Sequence, residues 1–263
     1  MGITVGKSYD LNAAEFFNAT QTLTPIQKQA VNGLVVDLKN YSIWDKMKAV
    51  YPFVGGTSGS HKFNLKDPLT YTITWTGTIQ HDATGIEFLG GYGNTGFAPF
   101  TALTNATASN HISLYNNKTT LSSGGWGLVT MGNTTFMQSG LGIAVDYASF
   151  SQTRFNAYDE LPTNISSGTY PSARLGLFVA TRTALAQSGY YQRGNRTANA
   201  SSTSSPTASP KTSTIFLGGE NGNWGAQNGA MAFASIGDGL TQSDVDNFYT
   251  AVQRFQTTLG RQV

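Results

Sequence analysis

Apolar positions along this chain follow two different periods, and the change comes near residue 68. Upstream, Thr24-Pro25 reads as the N-cap and first residue of a helix carrying Ile26, Ala30, Leu34 and Leu38 at helical spacing. A second short helix is expected around Ile43, Trp44, Met47 and Val50, stopping at Pro52. The run Gly55-Gly56-Thr57-Ser58-Gly59-Ser60 then reads as loop. Downstream the period is two. Tyr71, Ile73 and Trp75 alternate with threonines, and Leu141, Ile143, Val145 and Tyr147 alternate with Gly142, Ala144 and Asp146. Leu175, Leu177 and Val179 alternate with Gly176, Phe178 and Ala180. Further strands are expected at 86–89, 111–115, 126–131, 153–158, 188–193, 214–218 and 229–236. Short half-buried strands joined by Gly, Asn, Ser and Thr loops predict a mainly β fold, a two-sheet antiparallel sandwich over about 69–237. At the C-terminal end Thr241 and Asp244 form a capping box. The stripe Val245, Phe248, Tyr249, Val252, Phe255 and Leu259, closed by Gly260, predicts an amphipathic helix docked on the sandwich.

Charge follows the same division. Seven of the nine Lys lie within residues 1–66, whereas all seven Arg lie between Arg154 and Arg261. The expected organisation is therefore an N-terminal extended or helical attachment segment, 1–66, and a sandwich with its C-terminal helix, 67–263. The Ser/Thr/Ala/Pro tract at 199–214 is expected as a long exposed loop. Charged residues make up 11% of the chain, against about 25% in an average soluble domain. Its polar surface is thus made of hydroxyls and amides, which suits strands and turns and argues against helical bundles. A net charge of +2 gives no pull towards nucleic acid. With no cysteine, disulfide frameworks, Cys-based zinc sites and thiol nucleophiles are all excluded. No apolar run is long enough for a membrane span, and the N-terminus lacks a signal-peptide layout, so a soluble chain without membrane insertion is expected.

Motifs that carry chemistry are scarce. Gly91-Tyr92-Gly93-Asn94-Thr95-Gly96 matches the dinucleotide pattern by letter, but Pro99 follows and no acid stands some 20 residues on, so no nucleotide site is expected. Sandwich glucanases draw two carboxylates from one strand. None of Glu15, Glu87, Glu160 and Glu220 has Asp two residues later, and Asp159-Glu160 would point to opposite faces. No catalytic residue is therefore named. His61, His81 and His111 show no metal spacing. Asp146, Asp238, Asp244 and Asp246 are the acids a rim calcium would use, but Asp238 reads as a turn former and Asp244 as a cap. Neither metal nor cofactor is expected. Arg174, Arg182, Arg193 and Arg196 fall on neighbouring strands as a candidate basic patch. Trp126, Tyr190, Tyr191 and Trp224 are the candidate ligand-binding residues, because aromatics beside Gly or polar loops can stack on a sugar face.

The C-terminal run Phe216-Leu217-Gly218-Gly219, then Gly229 to Ala234, Ser235-Ile236-Gly237-Asp238-Gly239-Leu240-Thr241 and the helix ending Phe255 to Gly260 resembles a family. It is similar to the laminin-G-like, concanavalin A-like modules of tailed-bacteriophage structural proteins. The stretch Ile43 to Gly56, with His61 to Pro68, resembles the segment preceding the sandwich in such proteins. The resemblance covers about 40–263 and implies a jelly-roll sandwich on a virion surface, as capsid decoration, head fibre or tail component. Its implied partners are other virion proteins, copies of itself and cell-surface glycans. Two functional classes then stand: a non-enzymatic virion protein with a lectin-like sandwich, and a carbohydrate-active enzyme (polysaccharide hydrolase or lyase) of the same fold. The missing carboxylate pair favours the first, so the chain is expected not to be an enzyme.

Overall fold

The computed structural model describes residues 8–118, 129–133, 139–145, 152–166, 174–194, 197–219 and 229–263. Its helices are α1 (Leu11–Thr20), α2 (Pro25–Asn40), α3 (Ser58–His61), α4 (Pro99–Ala102) and α5 (Gln242–Thr258). The first eight strands are β1 (Met47–Tyr51), β2 (Thr74–Thr76), β3 (Ile79–Asp82), β4 (Gly85–Phe88), β5 (Tyr92–Asn94), β6 (Asn110–Asn116), β7 (Val129–Gly132) and β8 (Leu141–Val145). The remainder are β9 (Gln152–Ala157), β10 (Thr163–Ser166), β11 (Gly176–Ala184), β12 (Gln187–Arg193), β13 (Ala198–Ser202), β14 (Phe216–Leu217), β15 (Ala230–Met231) and β16 (Phe233–Gly237).

Among the described residues these strands make three antiparallel sheets. One runs β1-β16-β6-β11-β12-β13, the second β10-β9-β8-β7-β14-β5-β2, and a small third β15-β4-β3. The two large sheets enclose a core of Ile112, Leu114, Phe178, Ile143, Phe155 and Leu217, so the expected sandwich is present. The other face of the first sheet is covered as well. Leu177, Val179 and Phe233 pack there with Leu34, Leu38, Phe248 and Phe255 from α2 and α5. A helical layer, the first sheet and the second sheet thus form three layers. Burial on both faces explains why β11 is buried over seven consecutive residues, from Gly176 to Arg182, instead of alternating.

Local signals placed the two long helices. Thr24 caps α2 with Pro25 at its first position, and Gln27 completes the capping box. Thr241 accepts from the Asp244 amide while Asp244 reaches back to the Thr241 amide. Thr241→Ala is expected to cost about 1 kcal/mol of stability, read as a lower urea midpoint at unchanged m-value. The expected second helix is corrected. Only Trp44–Lys46 forms one 3₁₀ turn, and Met47–Tyr51 is a strand paired with β16. Its Ala49 and Tyr51 enter the sandwich core while Val50 faces the helices, a two-sided burial that a helix could not supply there. Residues of the 1–66 segment therefore share the α5 core and contribute a strand to the first sheet.

The 199–214 tract is corrected too. Its first residues form β13, where Ala198 and Ala200 are small enough to pack against the core beside Tyr190. Farther on, Thr207 donates its amide to the Tyr158 carbonyl and Lys211 to that of Ser139. Arg182 donates to the Ser204 carbonyl. The C-terminus is pinned by Arg261, a buried guanidinium that donates to the carbonyls of Pro52, Phe53 and Ala232.

Candidate functional site

Three neighbouring strands of the second sheet, β2, β5 and β14, build the site. Their register places Thr74 and Phe216 on either side of Asn94, and Trp75 and Leu217 on either side of Gly93. Leu217 lies in the core and Trp75 packs against it, so alternation sends Thr74, Thr76, Tyr92, Asn94 and Phe216 to the opposite face. Gly93 makes the arrangement possible. A Cβ there would stand 2.5 Å from the Trp75 ring, so only glycine lets that indole lie across the strand. On the outer face the Tyr92 and Phe216 rings meet edge to face at 5.8 Å. Both are half-buried, whereas Thr74 and Thr76 are exposed. Asn94 accepts the Gly96 amide at 2.9 Å, which orients its side-chain NH2. Two rings ringed by two hydroxyls and an amide, with no charged side chain among the five, can stack on an apolar sugar face and bond its hydroxyl edge.

These residues escaped the sequence reading for identifiable reasons. Tyr92 and Asn94 lie inside the glycine-rich stretch tested for a nucleotide, which is a strand here and opens no helix. The Thr74–Thr76 face was legible as the polar half of an alternation. Its partners were not, because β14 (Phe216–Leu217) joins from far along the chain.

Of the four aromatics expected to bind ligand, the two described ones, Tyr190 and Tyr191, take opposite faces of β12. Trp126 and Trp224 lie outside the described residues. Tyr190 is 0% exposed, and its hydroxyl is bonded to the Asp159 carboxylate. It faces the sandwich interior because it pairs with Ala180 and Ala200 on the core side of β12. Burial and the adjacent carboxylate both push its phenol up. It therefore offers no sugar face. Tyr191 is half-buried on the opposite face, with its ring against Gly189 and the Arg193 guanidinium 5.3 Å from its centroid.

The expected arginine patch also dissolves. Among the described residues Arg182 is the largest fully buried side chain, and Arg174 and Arg193 are buried too, while Arg196 lies outside them. The candidate calcium acids are engaged by cations: Asp238 with Lys48 at 2.9 Å, Asp244 with Lys46 at 2.7 Å and Asp246 with Arg193 at 2.8 Å. Asp146 lies outside the described residues.

Two other arrangements bring chemically competent groups together. Between the first sheet and α5, Ser113, Ser235 and His111 form a relay. His111 Nδ1 lies 2.6 Å from the Asp238 carbonyl and must donate to it, so Nε2 accepts from Ser235 at 3.0 Å. Ser235 in turn accepts from Ser113 at 2.7 Å. This orders a hydroxyl, a base and an orienting group as nucleophilic catalysis requires. All three side chains are buried beneath α5, however, so no substrate reaches them. Elsewhere, Glu87 and Asp82 share Lys118, at 2.9 and 3.8 Å. Hydrogen bonds from Thr84 and the Lys118 charge outweigh desolvation and hold the Asp82 carboxyl below its usual range. Both carboxylates are thus engaged by one ammonium.

No protein-family model and no curated protein matches the chain. Solved structures do. The sialidase of Trypanosoma rangeli in complex with 2,3-difluorosialic acid, a covalent intermediate, superposes with a TM-score of 0.50 at 14% identity over 86% of this chain. The same sialidase in complex with sialic acid gives 0.51 at 13% identity. This chain spans 39% of each sialidase chain. Domain 4 of an extracellular GH43 arabinanase from Geobacillus stearothermophilus, in complex with arabinotriose, is 16% identical, with 78% of this chain and 98% of that one covered. Its TM-score is 0.45. The sandwich expected from the resemblance is thus a fold found in a carbohydrate-active protein, while neither bacteriophage nor laminin-G appears in these matches. The expectation that the chain is no enzyme is overturned by the same finding: the fold it shares over most of its length belongs to a sialidase.

Proposed function

We propose that this chain is the glycan-engaging sandwich of a carbohydrate-active enzyme, and that the Tyr92–Phe216 face is its sugar contact. The observation that carries this reading is the grouping of Thr74, Thr76, Tyr92, Asn94 and Phe216 on one face of three adjacent strands. Stacking favours pyranose or furanose faces rich in C–H groups, and the flanking hydroxyls and amide choose among sugar edges. Since the five side chains carry no charge, the ligand class is a neutral polysaccharide, not an anionic sugar. Binding is then insensitive to salt, because no ion pair is made.

Calorimetric titration with soluble β-glucan, arabinan and galactan, and with sialyllactose as the anionic comparison, tests the reading. Phe216→Ala and Tyr92→Ala are each expected to weaken binding to a neutral polysaccharide at least tenfold, with thermal unfolding shifted by only a few degrees. Equal binding by wild type and both variants, or preference for sialyllactose, would overturn it. Release of reducing ends from the same polysaccharides tests the enzymatic part. The proposal also includes the setting implied by the C-terminal resemblance, a phage virion surface with other virion proteins as partners. Mass spectrometry of purified particles that lack the protein would remove that part alone.

A further inference from the structure

The sharpest unassigned feature is a pair of histidines behind the sugar face. His61 Nδ1 and His81 Nδ1 stand 3.1 Å apart, with ring centroids at 5.2 Å. A second contact fixes where the protons are. The Gly56 backbone N–H points at His61 Nε2 over 3.1 Å, and an amide can only donate. His61 Nε2 is therefore the acceptor, so in the neutral ring the proton sits on Nδ1. That N–H donates to His81 Nδ1, which places the His81 proton on Nε2. The same logic excludes a shared metal ion, which would need both Nδ1 lone pairs free.

We propose that the His61–His81 pair is a proton-operated latch that fastens the Gly55–His61 turn to strands β2 and β3. One proton taken up at His81 Nδ1 removes the acceptor and sets two N–H groups against each other. His61 could answer by moving its own proton to Nε2, but that would oppose the Gly56 N–H instead. One of the two hydrogen bonds is lost on either route, so the latch has two states and no intermediate. The turn is tied to β2 by a further bond, from Trp75 Nε1 to the Ser58 carbonyl at 3.1 Å. The Trp75 ring also packs edge-on against His81 at 4.9 Å. Release of the histidines therefore reaches Trp75, which lies over Gly93 beneath the Tyr92 face.

The groups facing the pair bias it towards the neutral, closed state. Phe53 packs on His61 at 5.8 Å, and the nearby Arg261 guanidinium opposes a charge there. His61 is held far below the usual imidazole range, first by burial and then by His81. His81 is lowered by burial and raised by Asp82, its neighbour on β3. Asp82 is itself partly spent on Thr84, Gln80 and Lys118. His81 is the more exposed of the two and takes the first proton, below pH 6.5.

Any effect on glycan binding rests on the reading of the Tyr92 face, so the latch is tested on ligand-free protein. Nitrogen shifts of the imidazoles at pH 7 are expected to show opposite tautomers, Nδ1–H in His61 and Nε2–H in His81. As His81 titrates, exchange protection of the Trp75 indole N–H, which bonds the Ser58 carbonyl across the latch, is expected to fall about tenfold per pH unit, the signature of one linked proton. Central amides of β6 and β11 keep their protection over that range. In His81→Gln the side-chain oxygen still accepts from His61 but takes no proton, so the indole stays protected. Identical tautomers in the two rings would overturn the latch. So would loss of indole protection at the same pH in wild type and His81→Gln, or protection that does not change while His81 titrates.

Discussion

Replacing Asp159 with Ala is expected to cost about 3–5 kcal/mol, the range for leaving a buried charge without its partner. Asp159 is 2% exposed and Arg182 0% exposed, so solvent screens neither. One carboxylate oxygen takes the Arg182 guanidinium and the other takes the Tyr190 hydroxyl, with Ser188 donating at 3.2 Å. The rest of the guanidinium is satisfied by main chain. Its Nε donates to the Ala157 carbonyl at 2.8 Å, and it also reaches the carbonyls of Ala184, Leu185 and Ser204. Arg182 therefore ties β9, the β11–β12 turn and the strand-following tract together, and Asp159 holds the charge that makes this possible. For a chain of this length the loss corresponds to a thermal midpoint lower by on the order of 10 °C. Urea unfolding of Asp159→Ala, Arg182→Met and the double variant checks it. The double variant should recover part of the loss, because it buries no lone charge. A single Asp159 variant with a wild-type midpoint would show that the cluster contributes nothing net.

That cluster also marks the limit of what the sequence discloses. Elements specified by neighbours in the chain were legible. The α5 cap at Thr241 and its stop at Gly260, and the Thr24-Pro25 start of α2, involve residues within four positions of each other. The alternation at 141–145 foretold a strand, and so did that at 175–179. Pairings across the fold were not legible. Arg182 looks like a solvated strand-end charge until β9 brings Asp159 beneath it, 23 residues away in sequence. Tyr190 looks like an accessible ring until Ala180 and Ala200 show which face it takes. The same holds for the sugar face, where Tyr92 meets Phe216 only after the β14–β5 register is set. Period two tells that residues alternate, but not which half is covered once a helical layer buries the first sheet on both sides. Met47–Tyr51 is a short run with apolar residues on both faces, and periodicity alone does not tell such a run as strand from one as a buried helical turn.

Acidification from pH 7 to 4.5 is expected to remove about 5 kcal/mol of folding stability through two buried histidines, His61 and His111, with His81 adding the same sign. In the unfolded chain an imidazole titrates near 6.5. In the fold burial depresses His61 to about 3 and His111 to about 4. Between those limits the unfolded chain binds protons that the folded one refuses, so stability rises with pH there and falls as acid is added. Each histidine contributes its full share above 6.5 and loses it progressively down to its folded value. At pH 4.5 each has lost two pH units' worth, at about 1.4 kcal/mol per unit. Burial is the chief reason that His111 resists the proton, and the Asp238 carbonyl partly opposes it. Its Nδ1 already donates to the Asp238 carbonyl, and Nε2 is the acceptor that satisfies Ser235. Protonation would strand the Ser113–Ser235 hydroxyl pair beneath α5. Asp82 and Asp244, both held below the usual carboxylate range by their partners despite desolvation, add the same sign at lower pH. Urea unfolding at half-unit pH steps measures the slope. At pH 5.5 these two histidines should contribute nearly two protons taken up on unfolding. His111→Gln is expected to be less stable at pH 7 yet to show one proton fewer in that slope. A wild-type stability that is flat between pH 6.5 and 4.5 would mean that neither imidazole is held neutral by the fold.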